Sequence, residues 1–229
     1  MYIPNTIPST LAEMLAFLTP TVEDGLFDTV AYDDQSSPTK IVCTQDGNTI
    51  LDVVKASYWE FYPYVADGTR AATAHCAKTV GFSANHNLYS KWIRCKGGIV
   101  IFSRSVSGTS SSTDSYLAIG KGTNEKTAFF VYDGSGDGKL VSIKKYYSTC
   151  FGDNTALALY SSGWYAQCNC DSADRTILTP IPIVGTSGST DTFSTVFIRS
   201  AVQVPENGTQ QIIGGKTYGC NYHFAVLDE

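Results

Sequence analysis

The sequence contains few charged residues and no long apolar segment. Asp, Glu, Lys and Arg make up only 16% of its 229 residues, and the 16 basic residues are spread thinly along the chain. Because binding to a phosphate backbone requires clustered Lys and Arg, we expect no nucleic-acid partner. The apolar stretches are far shorter than the ~20 residues that a membrane-spanning helix needs, so we also expect no membrane insertion.

The N-terminal residues do not have the pattern of a signal peptide. Residues 1–18 have no basic region and no small-residue cleavage site, which predicts synthesis and folding in the cytoplasm. The seven cysteines are an odd number, so at least one of them must be free or paired between chains. In a reducing compartment we expect the thiols to behave as small apolar residues rather than as a disulfide framework.

Catalytic motifs are absent from the sequence. There is no G-x-S-x-G nucleophile elbow and no recognisable Cys–His signature. The close pairs Cys168 with Cys170 and Cys220 with His223 do not have the paired spacings that zinc sites usually show. We therefore predict a protein that is not an enzyme, holds no metal and needs no cofactor.

One short amphipathic helix is predicted near the N-terminus. Thr10 and Glu13 have the spacing of a capping box, and Pro20 ends the helical pattern. Between them, one face of the helix is apolar: Leu11, Met14, Leu15 and Leu18. This face must pack either against the β core of the same chain or against a partner subunit.

Short β-like runs separated by turn residues make up most of the remaining chain. The runs are 27–32, 40–44, 48–54, 92–95, 98–104, 115–120, 127–133, 139–147, 156–160, 163–168, 176–184, 194–204, 210–215 and 217–227. Asp46-Gly47 and Lys96-Gly97-Gly98 predict hairpins. So many short strands, without long helices between them, predict a mainly β protein: an antiparallel β-sandwich or jelly roll with one short N-terminal helix.

Composition also suggests how the chain is divided. Residues 66–90 show no clear period, so we predict an irregular connection there. It would join an N-terminal assembly segment, 1–65, to a β-sandwich domain, 91–229. Residues 105–115 are rich in Ser and Thr and are predicted to form an exposed loop.

The segment DGSGDG, 133–138, resembles the first half of a calcium-binding loop. Asp133, Ser135 and Asp137 occupy the first, third and fifth positions of such a loop. The twelfth position, however, falls on Lys144, whose charge opposes a cation, and the flanks are β-like rather than helical. We therefore predict a hairpin turn, with a calcium site as the alternative.

Two aromatic clusters are candidate contact surfaces. In the segment 56–65, strand alternation would separate five aromatics into two faces: Tyr58, Tyr62 and Tyr64 on one, Trp59 and Phe61 on the other. The second cluster consists of Tyr160, Trp164 and Tyr165. Aromatic side chains are enriched at protein interfaces and also stack on sugar rings. For both clusters, a core or subunit-interface role and a sugar platform are the two alternatives.

Three segments resemble a known class of proteins in their composition. They are MYIPNTIPSTLAEML at residues 1–15, ALALYSSGWYAQ at 156–167 and IIGGKTYGCNYHFAVLDE at 212–229. In these segments the chain resembles virion structural proteins of tailed bacteriophages, without a shared motif and without assigned site residues. The resemblance implies a non-enzymatic, β-rich component of a tail, fibre, baseplate or capsid decoration, made in the host bacterial cytoplasm. Such a protein would act through contacts with copies of itself and with other virion proteins.

Under this interpretation, the helix face and the first aromatic cluster are the assembly surfaces: Leu11, Met14, Leu15, Leu18, Tyr58, Trp59, Tyr62 and Tyr64. Residues 92–143 are also similar in strand succession to concanavalin-like and laminin-G-like sandwiches. That similarity implies the alternative function, a carbohydrate-binding module that contacts a host surface glycan. It would bind through loops at 105–115, 133–138 and 160–165.

Overall fold

The structure, a computed structural model, describes residues 1–4, 6–56, 59–64, 91–106, 112–133, 176–184, 190–201, 208–220 and 224–229. Within these ranges lie two helices, α1 (Leu11–Leu18) and α2 (Pro20–Glu23), and 13 strands. The strands are β1 (Thr29–Asp33), β2 (Lys40–Gln45), β3 (Asn48–Lys55), β4 (Trp59–Pro63), β5 (Lys91–Cys95), β6 (Gly98–Val106), β7 (Ser112–Lys121), β8 (Thr127–Asp133), β9 (Thr176–Val184), β10 (Thr190–Ala201), β11 (Thr209–Ile213), β12 (Lys216–Cys220) and β13 (Phe224–Leu227). The pairings between these strands are antiparallel, which confirms the predicted mainly β class with a short N-terminal helix. In the described part of the chain, no helix has the length and apolar character needed to span a membrane.

The strands form three sheets. The N-terminal sheet has the order β1-β2-β3-β4, the middle sheet β5-β6-β7-β8, and the C-terminal sheet β11-β12-β13-β10-β9. Both predicted hairpins are confirmed, one between β2 and β3 and the other between β5 and β6. Asp46 and Gly47 have positive φ values of 53° and 76°, as a type I′ hairpin turn requires.

Several predicted segments differ from the observed strands. The run 210–215, for example, ends in Gly214 and Gly215, which form the turn after β11. The predicted loop 105–115 is shorter than expected, because β6 continues to Val106 and pairs there with Ser112. Ser and Thr side chains are compatible with a paired strand, so the composition of this segment was misleading. The predicted single run 217–227 is two strands, β12 and β13, which pair antiparallel with Gly219 opposite Val226.

On both faces of the middle sheet, side chains with described burial are mostly buried. The face toward α1 and the N-terminal sheet carries large apolar side chains: Trp92, Ile99, Ile101, Leu117, Ile119 and Phe129. On this side, the Trp92 ring lies 5.5 Å from Phe17 of α1 and 6.3 Å from Phe61 of β4, centroid to centroid. The opposite face packs against the C-terminal sheet, where the centroids of Phe130 and Phe224 are 5.4 Å apart.

The contact between the middle and C-terminal sheets depends on small side chains. Ala118, Gly120 and Ala128 lie on the face that meets the C-terminal sheet. A Cβ atom on Gly120 would lie 2.5 Å from Val196 Cγ2, closer than real Cβ contacts come. At Gly120 the two sheets can therefore approach closely only because this residue has no side chain.

Arg94 of β5 ties α1 to the middle sheet. α1 has no basic residue in its last turn, and the Arg94 guanidinium instead donates a hydrogen bond to the Phe17 carbonyl oxygen. The same group lies 4.7 Å from the Tyr2 ring centroid and 5.6 Å from that of Phe17. A cation at the C-terminal end of a helix complements the helix dipole and the unpaired carbonyls there.

A single cluster of buried side chains includes residues of α1 and of all three sheets. The predicted connection 66–90 lies outside the described residues. The division into 1–65, 66–90 and 91–229 therefore stays a prediction.

Candidate assembly surface

The predicted capping box positions the apolar face of α1. The Glu13 backbone N–H donates to Thr10 Oγ1 at 3.2 Å, and the Glu13 carboxylate accepts from the backbone N–H groups of Ser9 at 2.6 Å and Thr10 at 3.2 Å. The hydrogen bonds from Ser9 and Thr10 lower the pKa of the Glu13 carboxyl, and the bond from the Ser9 backbone N–H has the largest effect. α1 ends before Pro20, which then opens the single-turn helix α2.

The apolar face of α1 packs against the β core of its own chain, the first of the two alternatives for this helix. Met14 and Leu18 are 0% exposed and belong to the main core cluster. They offer no surface to a partner subunit, contrary to their predicted assembly role. Leu11 and Leu15 are partly buried against the same core, and their contact with a partner stays a prediction.

The aromatic residues of β4 alternate as predicted. Trp59 and Phe61 point inward and are buried, and Trp59 Nε1 donates a hydrogen bond to the Pro8 carbonyl oxygen at 2.6 Å. Trp59 is therefore a core residue and not a partner contact. Tyr62 and Tyr64 are half-buried and point to the opposite side, away from the core. Tyr58 lies outside the described residues.

Tyr62 and Tyr64 belong to what we call the outer face of the N-terminal sheet, the side turned away from the middle sheet. The strand register places two rows of residues across all four strands of this face. The rows are Asp33, Lys40, Val54 and Glu60, and Ala31, Val42, Asp52 and Tyr62. Most of these side chains are half-buried, Ala31 is exposed, and Asp52 is almost completely buried.

Asp52 is the centre of a polar network on the outer face. Its side chain is only 1% exposed, and its Oδ2 accepts a hydrogen bond from Lys40 Nζ at 2.8 Å and another from the Tyr64 hydroxyl at 2.8 Å. Lys40 Nζ also lies 3.7 Å from Asp33 Oδ2. Asp52 Oδ1 has no hydrogen-bond partner within the described part of the chain. A buried carboxylate oxygen without a donor is uncommon, because its desolvation is then uncompensated.

The hydroxyl groups of both outward tyrosines are held by carboxylates. Tyr64 donates to Asp52, and Tyr62 donates to Glu60 Oε2 at 2.6 Å. The two rings are therefore already fixed on the sheet before any contact is made. A partner that binds them would lose little side-chain entropy in doing so.

The alternation of β3 explains why Asp52 lies on this face. In NTILDVVK, Leu51 and Val53 point into the core, while Asp52 and Val54 point outward. Sequence reasoning missed Asp52, Lys40 and Glu60 as site residues. A detectable signal was present, since an Asp in the middle of an otherwise apolar strand requires a specific partner.

The three cysteines in the described ranges are buried, unpaired core residues: Cys43, Cys95 and Cys220. Burial raises the pKa of all three thiols, to about 12 for Cys95 and about 11 for Cys220. They therefore behave as the small apolar residues that were predicted, because a nucleophilic thiol needs a lowered pKa. Among the described residues, no group of three or more His, Cys, Asp or Glu side chains is placed to hold a metal ion.

The other predicted site residues lie mostly outside the described ranges. These are the glycan candidates Tyr160, Trp164 and Tyr165, and the calcium candidates Ser135 and Asp137. Asp133 is the last residue of β8, so the N-terminal flank of the calcium candidate is a strand, as predicted, and not a helix. The glycan and calcium sites themselves stay predictions.

Comparison of the chain with protein-family models, with curated proteins and with solved structures found no match. A functional proposal therefore has to come from the residues of the chain, and the outer face is where they are best organised for a contact.

Proposed function

We propose that the chain is a non-enzymatic structural protein of a tailed-phage virion, made in the host cytoplasm. It would act in a tail, fibre, baseplate or capsid decoration, through contacts with copies of itself and with other virion proteins. The observation that supports this proposal is the outer face of the N-terminal sheet, with Tyr62 and Tyr64 fixed by their hydroxyl groups. The resemblance in composition to virion proteins supplies the biological context.

The outer face has the features of a protein interface. Tyrosine is enriched in interfaces and at their energetically important positions. Val54 lies diagonally next to Tyr62, and Val42 lies one strand further away; both provide apolar area. Asp33 and Glu60 lie at the ends of one row. Apolar and aromatic groups near charged groups resemble the core and rim of an interface.

Asp52 supports the outer face from beneath and is not itself a partner contact. Its Oδ1 is buried and has no hydrogen-bond donor among the described residues, so a partner on the surface would not reach it. Its Oδ2 accepts from Lys40 and Tyr64. The network therefore fixes the Tyr64 ring that the outer face presents.

At the level of the fold, we propose that the middle and C-terminal sheets are the two layers of a β-sandwich or jelly roll. Two observations support this arrangement. Phe130 and Phe224 meet between the sheets, and Gly120 approaches Val196 closely. The N-terminal sheet would then be an additional layer that presents the outer face to partners.

The oligomeric state tests the proposed function. We expect light scattering after size exclusion to show a defined oligomer for the wild-type chain. Val54→Glu should reduce its mass, because the substitution places a charge in the middle of the outer face. Ala16→Glu, which adds the same charge on the exposed side of α1, should leave the mass unchanged. Circular dichroism should show that both variants are folded.

Two results would contradict the proposal. One is a Val54→Glu variant that is folded and keeps the wild-type mass, which would exclude the outer face as the assembly surface. The other is a wild-type monomer that binds sugars on a glycan array. That result would support the carbohydrate-binding alternative instead.

A further inference from the structure

The C-terminal sheet ends in an edge strand, β11, that lacks the usual protection against pairing. β11 is the first strand in the sheet order, and no described strand lies beyond it. Edge strands are commonly protected by charged residues or proline. The sequence of β11, TQQII, contains neither.

An exposed apolar side chain lies on this edge. Ile212 is 78% exposed, the highest value among the exposed large apolar residues of the described chain. Another of these residues, Met1, is close to the same strand, because its amino group and the Gln210 side chain both contact Asp228 Oδ2. Met1 is itself 40% exposed.

The hairpin geometry shows which backbone groups face the open edge. β11 and β12 are joined by Gly214 and Gly215, both with positive φ (60° and 82°), so Ile213 and Lys216 flank a two-residue turn as a hydrogen-bonded pair. Hydrogen-bonded and non-hydrogen-bonded pairs alternate in an antiparallel ladder. Ile212 with Thr217 and Gln210 with Gly219 are therefore non-hydrogen-bonded pairs.

A contact on the far side of β12 agrees with this assignment. The Thr217 carbonyl oxygen accepts from the Asp228 backbone N–H at 2.9 Å, so it points toward β13 and not toward Ile212. The N–H and C=O groups of Gln210 and Ile212 consequently point away from β12. They face the side of β11 on which no described strand lies, which we call the open edge.

We propose that β11 pairs antiparallel with β11 of a second copy of this chain, around a two-fold axis at Gln211. In this register, Gln210 lies opposite Ile212 of the second copy, and each such pair exchanges both N–H···O=C bonds. The C-terminal sheet would continue from one copy into the next. The inference rests on the proposed function, since it specifies one contact of the proposed oligomer.

A second copy fits this edge for reasons of charge. In a two-fold contact each residue meets the same set of residues, so a charged strand would oppose its own charges. Each chain has a net charge of −5, yet Thr209–Ile213 contains no charged residue. β11 can therefore pair with itself without local repulsion.

Cross-linking tests the register directly. Two Gln211 residues at the axis would form a non-hydrogen-bonded pair, with Cα atoms about 4.5 Å apart, which is within the range of a disulfide. Gln211→Cys should therefore form a disulfide-linked dimer under mild oxidation. Lys216→Cys, exposed beside the turn and away from the axis, should not. The wild-type chain controls for its own cysteines.

A proline substitution tests the backbone bonds. Ile212→Pro removes an N–H that faces the open edge and no hydrogen bond to β12, so the chain should fold but form a smaller oligomer. Ile212→Thr keeps the N–H and the strand propensity, and should keep the wild-type mass. Circular dichroism shows whether Ile212→Pro is folded. If it is not, the Gln211→Cys cross-link still tests the pairing.

The outcomes separate the two proposals. If Gln211→Cys gives no dimer and Ile212→Pro keeps the wild-type mass, pairing through β11 is wrong, whatever Val54→Glu does. If Gln211→Cys cross-links while Val54→Glu leaves the oligomer intact, strand pairing stands and the outer face is not the assembly surface.

Discussion

Replacing Lys40 with Met should strongly destabilise the fold, because it leaves the Asp52 carboxylate buried without its cation. The Lys40 Nζ to Asp52 Oδ2 distance is 2.8 Å, and the two side chains are 22% and 1% exposed. At an effective dielectric constant of about 20, two unit charges at this distance attract each other by roughly 6 kcal/mol. Desolvation offsets part of that energy, and removal of one partner from a buried pair typically costs about 3–5 kcal/mol.

We expect a loss near the lower end of this range, about 3 kcal/mol, because the Tyr64 hydroxyl still donates to Asp52 in the variant. Urea denaturation followed by circular dichroism measures the free energy of unfolding. Measurements at two protein concentrations separate unfolding from dissociation of an oligomer. The matched control is Lys126→Met, because the Lys126–Asp46 pair is 56% and 60% exposed and should contribute less than about 1 kcal/mol.

A double variant identifies the cause of the loss. If Lys40→Met is costly because Asp52 is left unpaired, the same substitution should cost little in an Asp52→Leu background. The reasoning is refuted if Lys40→Met costs no more than Lys126→Met. It is also refuted if the cost is the same with and without Asp52.

Two further predictions concern buried groups elsewhere in the chain. Arg94→Met should lower the free energy of unfolding by about 1–3 kcal/mol, because the Phe17 carbonyl loses a charged donor and two rings lose a cation–π contact. Arg199→Met should leave the free energy of unfolding unchanged or raise it by about 1 kcal/mol. The reason is that Arg199 is 3% exposed, its Nε has no hydrogen-bond partner among the described residues, and no described ion pair includes it. Thermal denaturation measures both variants, and a larger loss for Arg199→Met than for Arg94→Met would contradict the prediction. Cys95 and Cys220, with pKa values raised to about 12 and about 11, carry almost no thiolate at pH 8, and the thiolate forms only as pH rises toward those values. Mass spectrometry should therefore find both cysteines unmodified after iodoacetamide treatment of the folded protein at pH 8 and modified after denaturation, whereas rapid labelling of the folded chain would show that they are not buried.

Local sequence patterns correctly predicted strands that have turn residues at both ends. β8 and β9 coincide with the predicted runs 127–133 and 176–184. The reversal between β12 and β13 was missed because the run has no proline and no glycine after Gly219. The placement of β13 beside β10 was also not predictable, because pairing between distant strands has no local signal in one sequence.

The candidate site shows the same division between local and distant information. Alternation along β4 correctly placed Tyr62 and Tyr64 opposite Trp59, because that pattern is local. The contact between Lys40 and Asp52 depends on the register of β2 against β3. The turn at Asp46-Gly47 does not set this register alone, because the pairing also shifts after Cys43. Such a contact requires the structure.

The two unlike faces of the middle sheet have a consequence for synthesis on the ribosome. The N-terminal sheet and α1 emerge first, and they cover the face that carries Trp92, Leu117 and Phe129. The C-terminal sheet emerges last, so the face it covers stays bare for longer. On that face one row consists of Ile93, Val100, Ala118 and Phe130. A nascent chain therefore exposes an apolar surface that favours aggregation until the C-terminal sheet covers it.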